Sequence, residues 1–364
     1  MAAQTRRYGR HMLNLRYEFA KLASDYYLGG IVDRFREHGK VPAPRYVVWD
    51  CSRKCNLHCI HCGAAKERYA QELTTEQIKH AVDQLASMRV DMFAATGGEP
   101  LLRDDLLEVL GYASRRGLRT GISTNGFLID GAMADRIQAS RIQSVQVSLD
   151  GLEGTHNRIR NHAASHQRAA NALRLLQERR IPILSVSTTV MPQNVSELAQ
   201  LRDSLLQLGV RRWRLAIVLP IGRAESSSVA LDKEQLLSLF RFVQASRRRL
   251  HLHIGENLTF LGNWEKKLRD MPSPCPVGFT ACCISVDGGV RGCPEQPDTP
   301  ENREGSVLER PFAEIWQSGF QRYRSREILS QDHHCAQCRS KNDCLGGCWV
   351  MRKADQHCIR RLLN

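Results

Sequence analysis

Hydrophobic and polar positions follow two alternating periods along residues 46–249. Short apolar runs typical of strands recur six times, at residues 46–50, 92–96, 120–124, 145–149, 184–190 and 213–219. Stretches between them carry apolar residues at helical spacing, at residues 106–116, 167–179, 195–208 and 233–249. Strand and helix therefore alternate in units of about 30 residues, which predicts parallel strands joined by right-handed crossovers.

The helix that follows the first strand begins with a recognisable start signal. Residues 74–77 read Thr-Thr-Glu-Gln, which is typical of a capping box at a helix amino terminus. Apolar residues then recur on one face, at Ile78, Ala81, Val82 and Leu85. We expect this face to pack against the predicted sheet.

Six strand–helix units predict an α/β fold, a partial (β/α)6 TIM-like barrel that stays open rather than a closed eight-stranded barrel. A flat doubly wound sheet is the alternative, but no Gly-x-Gly-x-x-Gly follows a predicted strand. We place this core domain at residues 46–255. Residues 256–364 lose the periodicity and are rich in Cys, Gly, Pro and Asp, which predicts a small irregular α+β domain that needs metal to fold.

Residues 1–45 form an amino-terminal extension. Leucine and aromatic residues between positions 13 and 27 predict a helix that ends near Gly29 and Gly30. We expect this helix to pack on the core domain, and docking of a partner is the alternative. Residues 40–44 read Lys-Val-Pro-Ala-Pro and predict an extended segment before the first strand.

The chain has 364 residues and a formal net charge of +14. This charge favours an acidic partner, such as an acidic peptide or a carboxylate-rich small molecule, and a solvated basic surface is the alternative. The basic residues are dispersed and no RNA-binding motif is recognisable, so nucleic acid is not expected. Neither a secretory signal nor an apolar run of about 18 residues is evident, and we expect a cytoplasmic protein without a membrane span.

All 13 cysteines fall in two windows, at residues 51–62 and 275–358, which indicates metal binding rather than a disulfide framework. In the first window, Cys55-x3-Cys59-x2-Cys62 offers three thiolates for three irons of a four-iron cluster. No fourth cysteine follows at ferredoxin spacing, so one iron would stay open to a ligand. A zinc knuckle is the alternative, although the usual zinc spacings pair Cys-x2-Cys with a second pair downstream.

Three polar motifs end three successive predicted strands. Residues 97–100 (Gly-Gly-Glu-Pro) follow the second strand, residues 123–126 (Ser-Thr-Asn-Gly) end the third, and residues 148–151 (Ser-Leu-Asp-Gly) end the fourth. Each motif alone is compatible with an ordinary turn. Because the carboxyl ends of parallel strands share one rim, we expect the three motifs and the cysteine loop to meet there.

The cysteine spacing and these rim motifs resemble those of the radical S-adenosylmethionine (SAM) enzymes over most of residues 46–250. The resemblance implies that the open iron chelates the amino and carboxylate groups of SAM. It also implies roles for rim residues: the SAM ammonium at Gly97, Gly98 and Glu99, the carboxylate or ribose at Ser123 and Asn125, the ribose near Asp150, and the carboxylate at Arg160. One departure is His61, which precedes the last cluster cysteine where an aromatic residue is usual.

In the second cysteine window, the spacing Cys275-x12-Gly288-x4-Cys293 precedes five further cysteines. This pattern resembles the SPASM extension of radical SAM peptide-modifying enzymes. The resemblance implies two auxiliary [4Fe-4S] clusters and therefore three clusters in all. The implied ligands are Cys275, Cys293, Cys348 and either Cys282 or Cys283 for the first auxiliary cluster, and Cys335, Cys338, Cys344 and Cys358 for the second. Cys51 would then be no ligand, and structural zinc is the alternative for this window.

The resemblance implies an enzyme that reductively cleaves SAM to a 5′-deoxyadenosyl radical, which removes a hydrogen atom from carbon. Substrates of similar enzymes are most often ribosomally made peptides or proteins, and the electron donor would be a flavodoxin or a ferredoxin. Haem-biosynthesis enzymes that modify porphyrin side chains are one alternative. Anaerobic sulfatase maturases are another, although Glu295 rather than an aspartate follows the Cys293-Pro294 pair. An iron–sulfur electron carrier or scaffold is the non-enzymatic alternative.

Overall fold

The computed structural model describes residues 40–63, 71–226, 229–255, 257–258, 260–271, 273–325, 327–354 and 358–363. Its strands are β1 (Tyr46–Ser52), β2 (Met92–Gly97), β3 (Arg119–Thr124), β4 (Ser144–Ser148), β5 (Ile183–Val190), β6 (Arg212–Ile217), β7 (His251–Ile254), β8 (Ala281–Ile284), β9 (Gly289–Arg291) and β10 (Arg303–Ser306). They form one sheet in the order β10-β9-β8-β1-β2-β3-β4-β5-β6-β7, and neighbours from β8 through β1 to β7 are parallel. The sheet is open, and the predicted partial α/β barrel is confirmed.

Helices connect the parallel strands, and a series of short helices follows β10. They are α1 (Thr75–Ser87), α2 (Leu106–Arg115), α3 (Gly131–Ala139), α4 (Glu153–Arg160), α5 (Ser165–Glu178), α6 (Leu198–Gln207), α7 (Lys233–Ser246), α8 (Glu265–Leu268), α9 (Phe312–Ser318), α10 (Gln321–Arg324), α11 (Ile328–Gln331), α12 (His333–Ala336), α13 (Lys341–Cys344) and α14 (Ile359–Leu363).

The capping box predicted for helix α1 is present. The Thr74 side chain accepts a hydrogen bond from the backbone N–H of Gln77, and the Gln77 side chain accepts one from the backbone N–H of Thr74 at 2.8 Å. The apolar face is buried as predicted, at Ile78, Ala81, Val82 and Leu85. The local start signal therefore agrees with the tertiary packing of this helix.

Two helices between strands β3 and β5 were not predicted, namely α3 and α4. Helix α3 buries only Ala134 and Ile137, so its apolar face is too narrow to produce a clear helical period. Asp130 nevertheless caps it by accepting a hydrogen bond from the backbone N–H of Met133. Helix α4 is short and strongly polar, and tertiary contacts at the site hold it in place.

The sheet is larger than the six predicted strands. Strand β7 adds a seventh parallel strand inside the predicted core, and β8 of the C-terminal region pairs with β1, with Val47 opposite Cys282. Strands β9 and β10 continue this edge in antiparallel fashion. These strands have three or four residues each, which is too short for a period of two to stand out. The cysteine-rich region is therefore irregular, as expected, but it extends the barrel sheet.

The two faces of the sheet differ in polarity. Side chains on the helix-covered face form the hydrophobic core, where the Trp49 ring stacks on Phe93 and the Trp213 ring lies edge-on to Phe242 of helix α7. Along β5, buried side chains alternate with partly exposed ones. Because successive side chains of a strand point to opposite faces, the partly exposed set lines the inner, open side of the barrel.

Residues 40–44 carry no regular secondary structure, as the extended segment predicted. The backbone of Val41 exchanges two hydrogen bonds with the Gln317 side chain, at 2.9 and 2.7 Å, and the Trp316 indole N–H donates to the Pro42 carbonyl. Helix α9 therefore anchors this segment. The helix predicted for residues 13–27 lies outside the described residues. No helix in the described part of the chain is long and apolar enough to cross a membrane.

Candidate functional site

The loop with the first three predicted cluster ligands follows strand β1 at the carboxyl rim of the sheet. Cys59 is buried, Cys62 is partly buried and Cys55 is exposed. Although the residue as a whole is exposed, the loop partly covers the Cys55 thiol, and this burial raises its pKa. The Leu57 N–H that donates to its Sγ lowers the pKa, and the charges of Cys59, Glu99 and Cys62 raise it. The charges of the other two thiols of the loop therefore influence the ionisation of Cys55.

Two glycines of the second rim motif, Gly97 and Gly98, pack closely against the backbone of this loop. The N–H of Gly98 donates to the Ser52 carbonyl at 2.6 Å. A Cβ atom added at Gly97 would lie 2.3 Å from the Ser52 carbonyl oxygen, and one at Gly98 would lie 2.2 Å from that of Lys54. Gly97 also has a φ of 140°, which disfavours other residues. Both glycines are thus needed for the close approach of strand β2 to the cysteine loop.

Glu99 joins the second rim motif to the third. Its Oε1 accepts hydrogen bonds from the Thr124 hydroxyl (2.7 Å) and the Leu101 N–H (3.1 Å), and its Oε2 accepts one from the Asn125 N–H (2.8 Å). Burial raises the pKa of Glu99, although these hydrogen bonds and the charge of Arg160 oppose the shift. A carboxylate oxygen can accept two hydrogen bonds, so Oε2 can take a further donor.

The third rim motif also contacts the cysteine loop. The Asn125 amide donates to Oδ1 of Asn56 at 2.8 Å, and Asn56 lies directly after Cys55. Ser123 lies two residues before Asn125 in strand β3, opposite Gln146 of β4 and partly exposed. Ser123 and Asn125, the two residues of this motif that are predicted to bind SAM, therefore lie at the carboxyl end of strand β3.

The fourth rim motif forms a buried ion pair with helix α4. The Arg160 guanidinium contacts Oδ2 of Asp150 at 2.6 Å and donates to Sγ of Cys59 at 3.7 Å. Burial alone would lower the pKa of Arg160, but the Asp150 and Cys59 charges outweigh it and raise the pKa. Burial likewise raises the pKa of Asp150, yet Arg160 and two histidines lower it overall. Both groups are therefore charged, and they connect the fourth strand to the cysteine loop.

The loop after strand β6 was not predicted to take part in the site. The backbone N–H of Arg223 donates to the Cys62 carbonyl at 3.0 Å, and its Nε donates to the Cys59 carbonyl at 2.7 Å. Gly222 has a φ of 60°, and a Cβ there would lie 2.4 Å from the carbonyl oxygen of Cys62. The sequence signal that could have predicted this contact is the glycine-containing turn after the sixth strand, which lies on the same rim as the other motifs.

His61 lies inside this cluster of charges. Burial lowers its pKa to about 4, with Arg160 and Arg223 lowering it further and Asp150 opposing them. The imidazole is therefore neutral at ordinary pH.

The C-terminal cysteines fall into two groups. Burial raises the pKa of Cys293, and the charges of Cys275 and Cys348 raise it further. Burial also raises the pKa of Cys344, where the charges of Cys358 and Cys335 add to the effect.

Arginines accompany the second of these groups. Arg352 donates to Sγ of Cys335 at 3.6 Å, and Arg360 donates to Sγ of Cys338 at 3.7 Å. Each arginine places a positive charge beside a candidate cluster thiolate.

The adjacent cysteines of strand β8 occupy a different environment. Cys282 and Cys283 are both fully buried, and Cys282 belongs to the hydrophobic core. Burial raises the pKa of Cys283 to about 12, although the charge of Arg291 opposes the shift. Neither Cys282 nor Cys283 is among the charges that raise the pKa of Cys293, which are those of Cys275, Cys348 and Glu295.

The donor set fits iron–sulfur clusters, because every candidate ligand is a cysteine and cysteine thiolates are their usual ligands. Among the described residues, no three His, Cys, Asp or Glu side chains converge on a single metal ion. Cysteines of a four-iron cluster bind separate irons, so they need not converge on one point.

The open parallel barrel and the cysteine loop at its rim define an iron–sulfur enzyme of the α/β class. Residues 49–205 match the family model of the radical SAM superfamily, and residues 275–340 match that of the SPASM iron-sulfur cluster-binding domain. The chain belongs to the radical SAM superfamily and carries a SPASM domain. It is a radical SAM enzyme that binds SAM and [4Fe-4S] clusters.

Three curated proteins match most of the chain. The AdoMet-dependent heme synthase of Methanosarcina barkeri is 29% identical and aligns over 84% of this chain and 91% of its own length. The Fe-coproporphyrin III synthase of the same organism is 30% identical and aligns over 85% of this chain and 84% of its own length. The mycofactocin maturase of Mycolicibacterium smegmatis is 28% identical and aligns over 88% of this chain and 82% of its own length.

A solved structure shows the same fold. Streptococcus suis SuiB bound to the precursor peptide SuiA superposes with a TM-score of 0.73 over 90% of this chain and 76% of that chain. The two sequences are 17% identical, so the likeness concerns the fold alone.

Proposed function

We propose that the enzyme cleaves SAM at a [4Fe-4S] cluster held by Cys55, Cys59 and Cys62. The observation that carries this proposal is the contact of Arg160 with both Cys59 Sγ and Asp150, because it joins the cysteine loop to a second rim motif at one point. When bound, SAM and the reduced cluster supply a 5′-deoxyadenosyl radical that takes a hydrogen atom from a substrate carbon. Formation of 5′-deoxyadenosine by the reduced protein tests the proposal.

The rim residues would hold SAM beside this loop. Oε2 of Glu99 can accept a hydrogen bond from the SAM ammonium next to Gly97 and Gly98. The guanidinium of Arg160 has five N–H groups, so it can serve a carboxylate of SAM while it stays paired with Asp150. In the same proposal, Ser123 and Asn125 face the carboxylate or ribose, and Asp150 keeps Arg160 in position.

We further propose two auxiliary clusters, which make three in all. Cys275, Cys293 and Cys348, with Cys282 or Cys283, would hold the first, and Cys335, Cys338, Cys344 and Cys358 would hold the second. The two groups of interacting thiols support these sets. The auxiliary clusters would accept the electron left on the substrate after hydrogen removal. A flavodoxin or a ferredoxin is the proposed donor, and the net charge of +14 would attract an acidic carrier.

Iron content tests the number of clusters. Anaerobically reconstituted protein should hold ~12 iron atoms per chain, because each of three clusters contains four. Changing Cys344 to Ala should remove ~4 of them and leave SAM cleavage intact, since Cys344 belongs to the second auxiliary group. Changing the buried core cysteine Cys51 to Ala is the matched control and should leave the iron content unchanged. A zinc-rich wild-type protein that stays at ~4 iron would contradict the auxiliary assignment.

For the substrate, we propose a peptide or protein that is oxidised, cross-linked or excised. Among the described residues, strand β7 is an edge of the sheet, and this supports the proposal because an extended chain can reach the inner face from that side. The similarity to mycofactocin maturases gives it further support. A carboxylated tetrapyrrole is the second candidate, favoured by two relatives that are named as synthases of haem and of Fe-coproporphyrin III.

Direct incubation separates the two substrate classes. The reduced enzyme and SAM should change the mass of a precursor peptide encoded near its own gene, with 5′-deoxyadenosine formed in proportion to product. A parallel incubation with carboxylated porphyrins is the comparison, and the enzyme with Cys55, Cys59 and Cys62 changed to Ala is the blank. A mass change confined to the porphyrin would replace the peptide proposal by the tetrapyrrole one.

A further inference from the structure

A row of polar residues on neighbouring strands crosses the inner face of the barrel. It runs from the carboxyl rim at strand β4 to strand β7. Strand register places Ser148 of β4 opposite Ser187 of β5, Ser187 opposite Arg214 of β6, and Arg214 opposite His253 of β7. Ser148 is the last residue of β4, two residues before Asp150. The row therefore starts beside the proposed SAM site and ends at β7, the last strand of the sheet on this side among the described residues.

The side of the sheet on which this row lies follows from its neighbours. Trp213 and Leu215 flank Arg214 in the sequence and are buried in the core, where the Trp213 ring packs on helix α7. Because side chains alternate along a strand, Arg214 points to the opposite, inner face. It is partly exposed there, and His253 is exposed.

A second polar row runs parallel to the first, one step toward the amino ends of the strands. It places Gln146 opposite Ser185, Ser185 opposite Arg212, and Arg212 opposite His251. Arg212 and His251 are both exposed. The β6–β7 side of the inner face therefore combines two arginines with two histidines. The inner positions of β2 and β3 are smaller, for example Ala94 opposite Gly121.

Arg214 reaches from mid-strand toward the carboxyl rim. A Cβ atom at Gly255, the residue after strand β7, would lie 3.1 Å from Nη2 of Arg214 and 3.1 Å from Oδ1 of Asn257. The backbone N–H of Gly255 donates to the Leu215 carbonyl at 2.7 Å. The guanidinium therefore stands at the height where strands β6 and β7 end, which is the height of the chemistry in a parallel barrel.

We propose that the row of Ser148, Ser187, Arg214 and His253 binds a carboxylate group of the substrate, with Arg214 as the main contact. The planar guanidinium suits bidentate hydrogen bonding to a carboxylate, and neighbouring hydroxyls add donors. This inference rests on the proposed radical chemistry and adds the chemical class of the substrate. A peptide carboxylate and a tetrapyrrole propionate share this chemistry, and the second row offers Arg212 to a further carboxylate about 6.6 Å deeper along strand β6.

Binding to the reconstituted holoenzyme with SAM tests this inference with four probes. They are a tetracarboxylate porphyrin, its tetramethyl ester, a precursor peptide with free carboxylates, and the same peptide amidated and esterified. One acid-form probe should bind while its blocked form does not. Changing Arg214 to Gln should weaken binding of that acid form by about 10- to 100-fold, the usual worth of a charge-assisted hydrogen bond. Changing Arg214 to Lys should weaken binding of the acid form less than Arg214→Gln does, because the positive charge remains.

Arg211→Gln is the matched control. It removes the same charge from an exposed arginine just before strand β6, at the opposite end from the rim, and should bind all probes like the wild type. Iron content and far-UV circular dichroism should match the wild type in every variant, which shows that the variants fold and hold their clusters. Equal binding of acid and blocked forms, or unchanged binding in the Arg214→Gln and Arg214→Lys variants, would overturn the carboxylate site while SAM cleavage persists. Absence of SAM cleavage in the wild type would instead refute the proposed function.

Discussion

Changing Cys55, Cys59 and Cys62 together to Ala should abolish 5′-deoxyadenosine formation by the reduced enzyme. The three thiols are the proposed ligands that leave one iron open for SAM, and no other cysteine in the described part of the chain shares their loop apart from buried Cys51. Product should fall to the level of a blank without reductant, because the cofactor carries the chemistry. Liquid chromatography of quenched reactions measures the product, and visible absorbance of the same samples measures the remaining clusters.

The auxiliary absorbance should survive in this variant, because the other proposed ligands belong to two groups between residues 275 and 358. Cys51→Ala is the matched control. Cys51 is fully buried, and burial together with the Asp50 charge raises the pKa of its thiol well above the usual value. The resemblance of the loop to the radical SAM motif gives Cys51 no ligand role, and Cys51 packs in the hydrophobic core. 5′-Deoxyadenosine from the triple variant, or its loss in Cys51→Ala, would show that the catalytic cluster is held elsewhere.

Elements with a strong local signal were predictable from the sequence. Strand β5 alternates over eight residues, and helix α1 combines a capping box with a clear apolar face, so both lie where the pattern placed them. Helix α3, which buries two residues, and strand β8, which has four, carry too few periodic positions for such a signal. Their positions are set by contacts with distant parts of the chain.

The candidate site divides in the same way. Strand order alone placed the Gly-Gly-Glu motif and Asp150 on the rim of the cysteine loop, because parallel strands end on one side. The role of Gly97 and Gly98 in supporting the Ser52 and Lys54 carbonyls depends on a register that no local pattern reveals. The contact of Arg223 with Cys59 joins residues 164 positions apart, and it also needs the tertiary fold.

Changing Asp50 to Asn should lower the free energy of unfolding by about 3–5 kcal/mol, the usual cost of breaking a buried ion pair. Oδ2 of Asp50 lies 2.7 Å from Nη2 of Arg291 and 2.5 Å from Nη2 of Arg53, and the Arg291 side chain is 0% exposed. The pair joins strand β1 to strand β9, 241 residues away, and Arg53 lies in the cysteine loop. The neutral amide removes the counter-charge of a buried guanidinium. Urea unfolding of the reconstituted protein, followed by tryptophan fluorescence, measures the change.

Asp91→Asn is the matched control for this prediction. It breaks the ion pair of Arg45 with Asp91, which is adjacent to strand β1 but has side chains 63% and 39% exposed, so the cost should stay below about 1 kcal/mol. Combining Asp50→Leu with Arg291→Met should recover part of the loss, because an apolar pair leaves only the partly exposed Arg53 without this partner. Equal urea midpoints for Asp50→Asn and Asp91→Asn would show that the buried pair does not connect the cysteine loop to the SPASM region energetically. A large loss in Asp50→Asn alone would show that the buried pair stabilises the contact between strands β1 and β9. Loss of iron from the cluster loop and from the auxiliary sites at one urea concentration would show that the two regions unfold together.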